Sequence, residues 1–551
     1  MLNSIKFLQE FSNKVKTMWA RKVQLPSFAS HLEASVVIGL LAVFITIGFI
    51  RAFKLPLFYD TGWDEVMFID PAINLYFDHG FNSSAWFAQT KNEFWAGYPP
   101  LYSILLYLFL KIFGFSIGVP RIVNIVLATI TVVLIWRTTI RLKLISSLRA
   151  RILLVALLIG ITGIGIDYRS GRPDFLMALL TTTAFWLFSF NSVLIRRFFL
   201  VIIGILLPWS GLATIPYAVI LGSIVTIFLR RTVVKEMLAI AWGIIIGIAL
   251  LYCFYQNFGA WDGFINSIIN NPTLSHKKYS FSPIMLITGV LNGITVRPSL
   301  KLGLIAIAIF IWRKISKNNQ SHSLSTFGLS IFIFVPLGMA SLGAYPPYYA
   351  WMVSIPLAIC ICAELSSLFK SSNFLLCSVL ILFSGGSNIL LIVIPIIFYL
   401  SFKLITLLKL NFKRQLSGLF FTITFFLWLN ASPVKAFDLI INRAYSDYTP
   451  VETFVRKNIK STDWVITDFP TYYAVKQRAE FTMYTYYPMV MSNDEKKRTS
   501  ALILEDDKAA KIIEMLGGDW YKTENKLPVN MKRIDKRNNE FEFYLYRKLE
   551  N

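Results

Sequence analysis

Asp64 and Glu65 stand side by side in the stretch YDTGWDEVMFID (59–70), with Asp60 and Asp70 close by. A further acid, Asp174, follows Arg172 in DYRSGRPD (167–174). Later come His276, Lys277 and Lys278 in one polar stretch, then Arg297, then Tyr345, Tyr348 and Tyr349 in YPPYYAW (345–351). Carboxylates set among arginines and lysines suit group transfer to a hydroxyl or an amine. A carboxylate takes the acceptor's proton as general base, and cations neutralise a departing phosphate. The aromatic residues Trp63, Phe68, Trp86, Trp95 and Tyr98 are suited to sugar faces or to lipid. Each feature also has a plainer explanation. Acids favour the first turn of any helix, and Pro173–Asp174 reads as a helix start. A lysine pair also meets lipid phosphates, and tyrosines gather in interfacial belts. His276 is the candidate metal ligand, for which carboxylates would supply the remaining oxygens.

These residues need elements to position them, and the composition says which. The 551 residues are 55% hydrophobic, with a mean hydropathy of +0.58. Apolar runs of about 17 or more residues recur along the chain, each long enough to span hydrocarbon. The runs are continuous rather than alternating, which predicts helices and excludes a β-barrel. The net charge is +23, yet residues 435–551 hold 20 Lys and Arg against 18 Asp and Glu. The excess therefore lies in short loops beside helix ends, where it orients helices; it does not mark a nucleic-acid binder. The four cysteines, Cys253, Cys360, Cys362 and Cys377, lie in apolar runs without zinc-ligand spacing.

The basic clusters thread the chain through a bilayer. Lys14, Lys16, Arg21 and Lys22 hold the N-terminus in the cytoplasm, and helix one (about 34–52) delivers Asp64 and Glu65 to the far side. The first outer loop, 53–118, contains the short apolar segment 98–114, interrupted by Lys111, which reads as a juxtamembrane helix. Spans follow at 119–140, 152–168, 173–193, a pair within 198–230 broken at 208–216, 236–256, and a return within 283–313 after a polar loop, 257–282. Later spans fall at 326–344, 348–368, 373–385, 387–402 and 415–432, giving about 13 in all. Making 101–116 a full span would put Arg137 to Arg151 outside, against the positive-inside rule. Residues 1–433 thus form a polytopic α-helical membrane domain. Residues 434–551 form a small extracytoplasmic α/β domain, with a strand at 463–469, a helix at 506–518 and an edge strand at 540–548.

Taken in order, WDEVMFIDPAINLYFDHGF, YPPLYSILLYLFLKIFG, VPRIVNIVLATITVVLIWR and RPDFLMALL resemble the polyprenyl-phosphate-sugar-dependent glycosyltransferases of the GT-C class. Within it the chain looks most like the bacterial branch related to protein O-mannosyltransferases and the lipid A aminoarabinose transferase. The resemblance covers residues 34–190 and runs more loosely to about 430. It implies a transferase of the bacterial cytoplasmic membrane that works on the extracytoplasmic face and inverts the anomeric centre. The donor would be a sugar on polyprenyl phosphate, and the acceptor a lipid, glycan or protein of the cell envelope. Asp64 and Glu65 match the acidic pair of the family's first outer loop, and Asp174 its second acidic position. The branch does not demand a metal. The lipid A branch carries Glu-Lys before its proline, where this chain has Gly97 and Tyr98. The donor phosphate must then meet other cations: Arg172, Lys277, Lys278 and Arg297 are candidates, with Tyr98, Tyr345 and Tyr348 as substrate contacts. The alternative function is a lipid-linked sugar flippase or transporter. Such proteins show repeated halves and charges at mid-membrane; this sequence has no internal repeat and gathers its charges at one face.

Overall fold

The computed structural model describes residues 28–53, 59–86, 89–160, 170–211, 214–229, 233–275, 351–368, 447–527 and 542–549. Helix α1 (Phe28–Ala52) leads to α2 (Tyr59–Tyr76) and α3 (Leu101–Phe113). Then come α4 (Gly118–Arg141), α5 (Leu148–Gly160), α6 (Asp174–Leu187), α7 (Val193–Ser210), α8 (Thr214–Leu229), α9 (Val234–Asn257), α10 (Trp261–Ser275) and α11 (Trp351–Leu368). Among the described residues, four helices are long and apolar enough to cross a membrane: α4, α7, α9 and the 33–52 part of α1. Helix α3 has 13 residues, about 20 Å of rise, short of a full span. It buries Tyr102, Ser103, Leu106 and Leu110 and leaves Leu108, Ile112 and Phe113 exposed.

The break in the 198–230 run falls between α7 and α8, beside Pro208 and Gly211, whose φ of 153° suits glycine. Helices α7 and α9 touch backbone to backbone: a Cβ on Gly204 would lie 2.4 Å from the Ile240 carbonyl oxygen, and one on Gly243 2.3 Å from that of Val201. Small residues permit such approach in membranes, where dispersion rather than water drives helix pairing. The segment expected to be a polar loop, 257–282, instead contains α10. Its Trp261, Phe264, Ile265 and Ile268 recur at helical spacing and pack against Ala96, Phe254 and Tyr255. The spans expected at 283–313, 326–344, 373–385, 387–402 and 415–432 lie outside the described residues.

The C-terminal segment contains α12 (Thr449–Asn458), β1 (Trp464–Thr467), α13 (Tyr472–Arg478), β2 (Phe481–Tyr484), α14 (Asn493–Arg498), β3 (Ala501–Leu504), α15 (Asp506–Leu516), β4 (Trp520–Lys526) and β5 (Tyr544–Lys548). The strand order is β2-β1-β3-β5-β4, with β1 parallel to β2 and β3 and the remaining pairs antiparallel. The 540–548 strand is therefore not at the edge: β5 lies between β3 and β4. Alternation marks one wet face, which an internal antiparallel strand also has. At the opposite edge, β2 is met by the first connecting segment. The Tyr484 N–H donates to the Ser84 carbonyl at 3.0 Å, and the Ser84 hydroxyl to the Thr482 carbonyl at 2.6 Å. The open strand edge is thereby covered from the membrane part of the chain.

Candidate active site

Helix α2 carries the acidic residues, and every side chain from Glu65 to Asn74 is at least half buried, most of them fully. Acids on such a helix must be paired, because an isolated buried charge is too costly to hold. Asp64 is the exception in exposure: its side chain keeps 28% of its surface open. Its Oδ2 accepts from Arg172 Nη1. The Arg172 Nε donates to Asp174 Oδ2 at 2.9 Å, and its guanidinium lies 5.3 Å from the Phe68 ring centre. Asp174, in the first turn of α6, is 1% exposed and takes a second hydrogen bond from Trp351 Nε1 at 3.2 Å. One buried arginine thus joins the reachable acid to the buried one.

Glu65 is saturated. Its Oε1 accepts from Arg121 Nη2 at 3.0 Å and from the Tyr473 hydroxyl at 2.6 Å. Arg121 Nε lies 3.2 Å from both carboxylate oxygens, and the Gly171 N–H donates to Oε2 at 3.1 Å. Arg121, in the first turn of α4, also donates to the Ala52 carbonyl at 3.0 Å, tying the end of α1 to α2. Asn124, nearly one turn on, donates to the carbonyls of Ser170 and Arg172. The backbone that presents Arg172 is held from both sides. Gly171 sits where a Cβ would lie 2.7 Å from Ile69 Cγ2 and 2.8 Å from Pro120 Cβ, so only glycine lets this segment wedge between α2 and α4.

Asp70 is the third acid and is wholly buried. Lys476 Nζ lies 2.8 Å from its Oδ1, which also accepts from the Tyr472 hydroxyl. Its Oδ2 accepts from the Ser83 hydroxyl at 2.9 Å and the Ser84 N–H at 2.7 Å. Burial alone would push this carboxyl up, but Lys476, Tyr472 and Ser84 together hold it below its ordinary 3.8. The folded group is the stronger acid. It therefore stabilises the folded state fully above the unfolded value of 3.8, and that contribution is lost as pH falls through the lower folded value. Hydrogen-exchange protection of α13 is expected to be flat from about pH 8 to about pH 5 and to fall below about pH 4. Asp70→Asn should remove that acid limb.

Counted formally, four carboxylates (Asp64, Glu65, Asp70, Asp174) face three cations (Arg121, Arg172, Lys476). Of the residues expected to contact substrate, Tyr98 packs edge-on against Phe68, 5.0 Å between ring centres, with its hydroxyl 3.5 Å from Met177 Sδ. Its backbone carbonyl accepts from the Tyr255 hydroxyl at 2.8 Å. The departure at Gly97 has a packing reason: a Cβ there would lie 2.5 Å from the Trp86 indole. His276, Lys277, Lys278, Arg297, Tyr345 and Tyr348 lie outside the described residues. Among the described residues, no group of three His, Cys, Asp or Glu side chains is placed to hold a metal. Arg121, Asn124, Trp351, Tyr472, Tyr473 and Lys476 were not singled out from the sequence. Arg121 and Asn124 carried a signal, being polar residues at the start of an otherwise apolar helix.

The same architecture is found among solved structures. ArnT from Cupriavidus metallidurans bound to undecaprenyl phosphate superposes with a TM-score of 0.55 at 11% identity, over 94% of this chain and 98% of its own. The apo state of that protein gives 0.53 at 10% identity, over 93% and 98%. At such identity the likeness is one of fold: this chain shares the fold of that protein along nearly its whole length. No family model and no curated protein matches the chain.

Proposed function

We propose that this chain is a membrane glycosyltransferase that moves a sugar from a polyprenyl-phosphate carrier to a hydroxyl or amine of a lipid, glycan or protein acceptor. The observation that carries this reading is the contrast among the acids. Asp64 is reachable, while Glu65 and Asp174 are buried with both oxygens occupied. A fold shared with a protein crystallised with undecaprenyl phosphate supports the donor class. Asp64 accepts the acceptor's proton as the acceptor oxygen or nitrogen bonds to the anomeric carbon. The bond from that carbon to the phosphate oxygen breaks, and the configuration inverts. Arg172, with Lys277, Lys278 and Arg297, meets the phosphate charge. Glu65 and Asp174 hold Asp64 and Arg172 in place. The reading includes about 13 spans, with the N-terminus in the cytoplasm and the C-terminal domain outside a bacterial inner membrane.

The test uses the full chain in lipid nanodiscs with a panel of polyprenyl-phosphate sugars and a crude membrane extract as acceptor source. Free polyprenyl phosphate is expected to appear with one donor. Silence across the panel, together with movement of the intact lipid-linked sugar between leaflets in vesicles, would replace the transferase by a flippase.

A further inference from the structure

We propose that the C-terminal domain is a working part of the transfer site, with Tyr473 and Lys476 of α13 acting as positioning residues for Asp64. The inference rests on the transferase reading above. Helix α13 has seven residues, and those from Tyr472 to Lys476 are all buried. A lysine side chain 3% exposed demands a partner, since burial without one would strip its charge. Tyr472 and Lys476 are four apart, so they share a face, and both reach Asp70 Oδ1. Tyr473 points one step around the helix and reaches Glu65 Oε1.

The domain therefore grips α2 at two places five residues apart, about 7.5 Å along its axis. One anchor would leave α2 free to turn about it; two separated along the axis fix rotation and height together. Asp64 lies on the turn that the Glu65 anchor holds, with only Arg172 as its own restraint among the described contacts. The Ser84–β2 contacts add a third attachment on the same side. A domain that served only as an appendage would have no need to saturate the acid beside the base.

The experiment measures polyprenyl phosphate release per folded molecule by the full chain in nanodiscs, for wild type, Tyr473→Phe, Lys476→Met and the double variant Asp70→Asn/Lys476→Met. Tyr473→Phe keeps the ring and removes the donated hydrogen bond. It is expected to lower kcat about 10-fold with the donor KM within about 2-fold, since small misplacement at a reacting group costs rate rather than binding. Lys476→Met is expected to lower kcat likewise, and adding Asp70→Asn to recover part of the loss, because the carboxylate left unpaired by the single change is gone. Wild-type kcat in both single variants, whatever their stability, would overturn the proposal. If wild type releases nothing from any donor, the transferase reading falls. The grip is still read from thermal unfolding of Asp70→Asn, Lys476→Met and their double variant. Non-additive shifts would support it, and additive shifts would overturn it.

Discussion

Asp64→Asn is expected to reduce polyprenyl phosphate release by about 10²- to 10⁴-fold, the range that a general base contributes, with normal protein abundance and unfolding temperature. Asparagine keeps the shape, and its amide oxygen still accepts from Arg172, but it takes no proton at neutral pH. Arg172 keeps Asp174 as its partner, so the change leaves no buried charge unpaired. Asp174→Asn provides the contrast. Both Asp174 oxygens are engaged in a buried setting, one by Arg172 and one by Trp351, so its loss should lower stability and activity together. The pH profile of kcat/KM separates the two roles. The acid-side limb should vanish in Asp64→Asn and persist, with reduced height, in Asp174→Asn. A limb that survives in Asp64→Asn would move the base to another group, with Asp174 next in line.

Arg121→Leu should be the most destabilising single change, by about 3–5 kcal/mol, because it leaves Glu65 charged and buried without its partner. Arg121 and Glu65 are 2% and 3% exposed in their side chains, and the arginine also caps the end of α1 through Ala52. Pairing Arg121→Leu with Glu65→Gln should recover a large part of the loss, since a neutral amide is cheaper to bury than a carboxylate. Thermal unfolding of the four proteins in nanodiscs forms the cycle. If the double variant is as unstable as the sum of the singles, the pair is not an energetic unit. Arg121 would then act through Ala52 alone.

The sequence shows long apolar helices well because their signal is local. The run ending at Asn257 and the break beside Pro208 and Gly211 need only hydropathy and two residue types. Helix α10 was missed because its polar asparagines and serines dilute its six apolar residues in a simple average, although the spacing of Trp261, Phe264, Ile265 and Ile268 is helical. For the site, the acids stood out as charges where apolar residues were expected, and the structure brings Asp64, Arg172 and Asp174 into contact. What the sequence does not display is which acid is saturated. That depends on Arg121, 56 residues from Glu65, and on Tyr473, 408 residues away. No local pattern links such positions; only the folded backbone does. Lys476 illustrates this: nothing in its neighbouring sequence marks it, yet it lies buried against Asp70.

The contacts from Ser84, Asp70 and Glu65 to the C-terminal segment join residues about 400 apart in the chain. Their order of synthesis follows from this. Helix α2 leaves the ribosome early, carrying Glu65 and Asp70 without Tyr473 or Lys476, and it waits while the rest of the membrane part is made. Closure of so long a loop comes late in folding and slowly. A chain interrupted anywhere between residues 65 and 472 therefore carries Asp64 but lacks the C-terminal contacts to Glu65 and Asp70. The surroundings of Asp64 are thus assembled only once the C-terminal segment has been made.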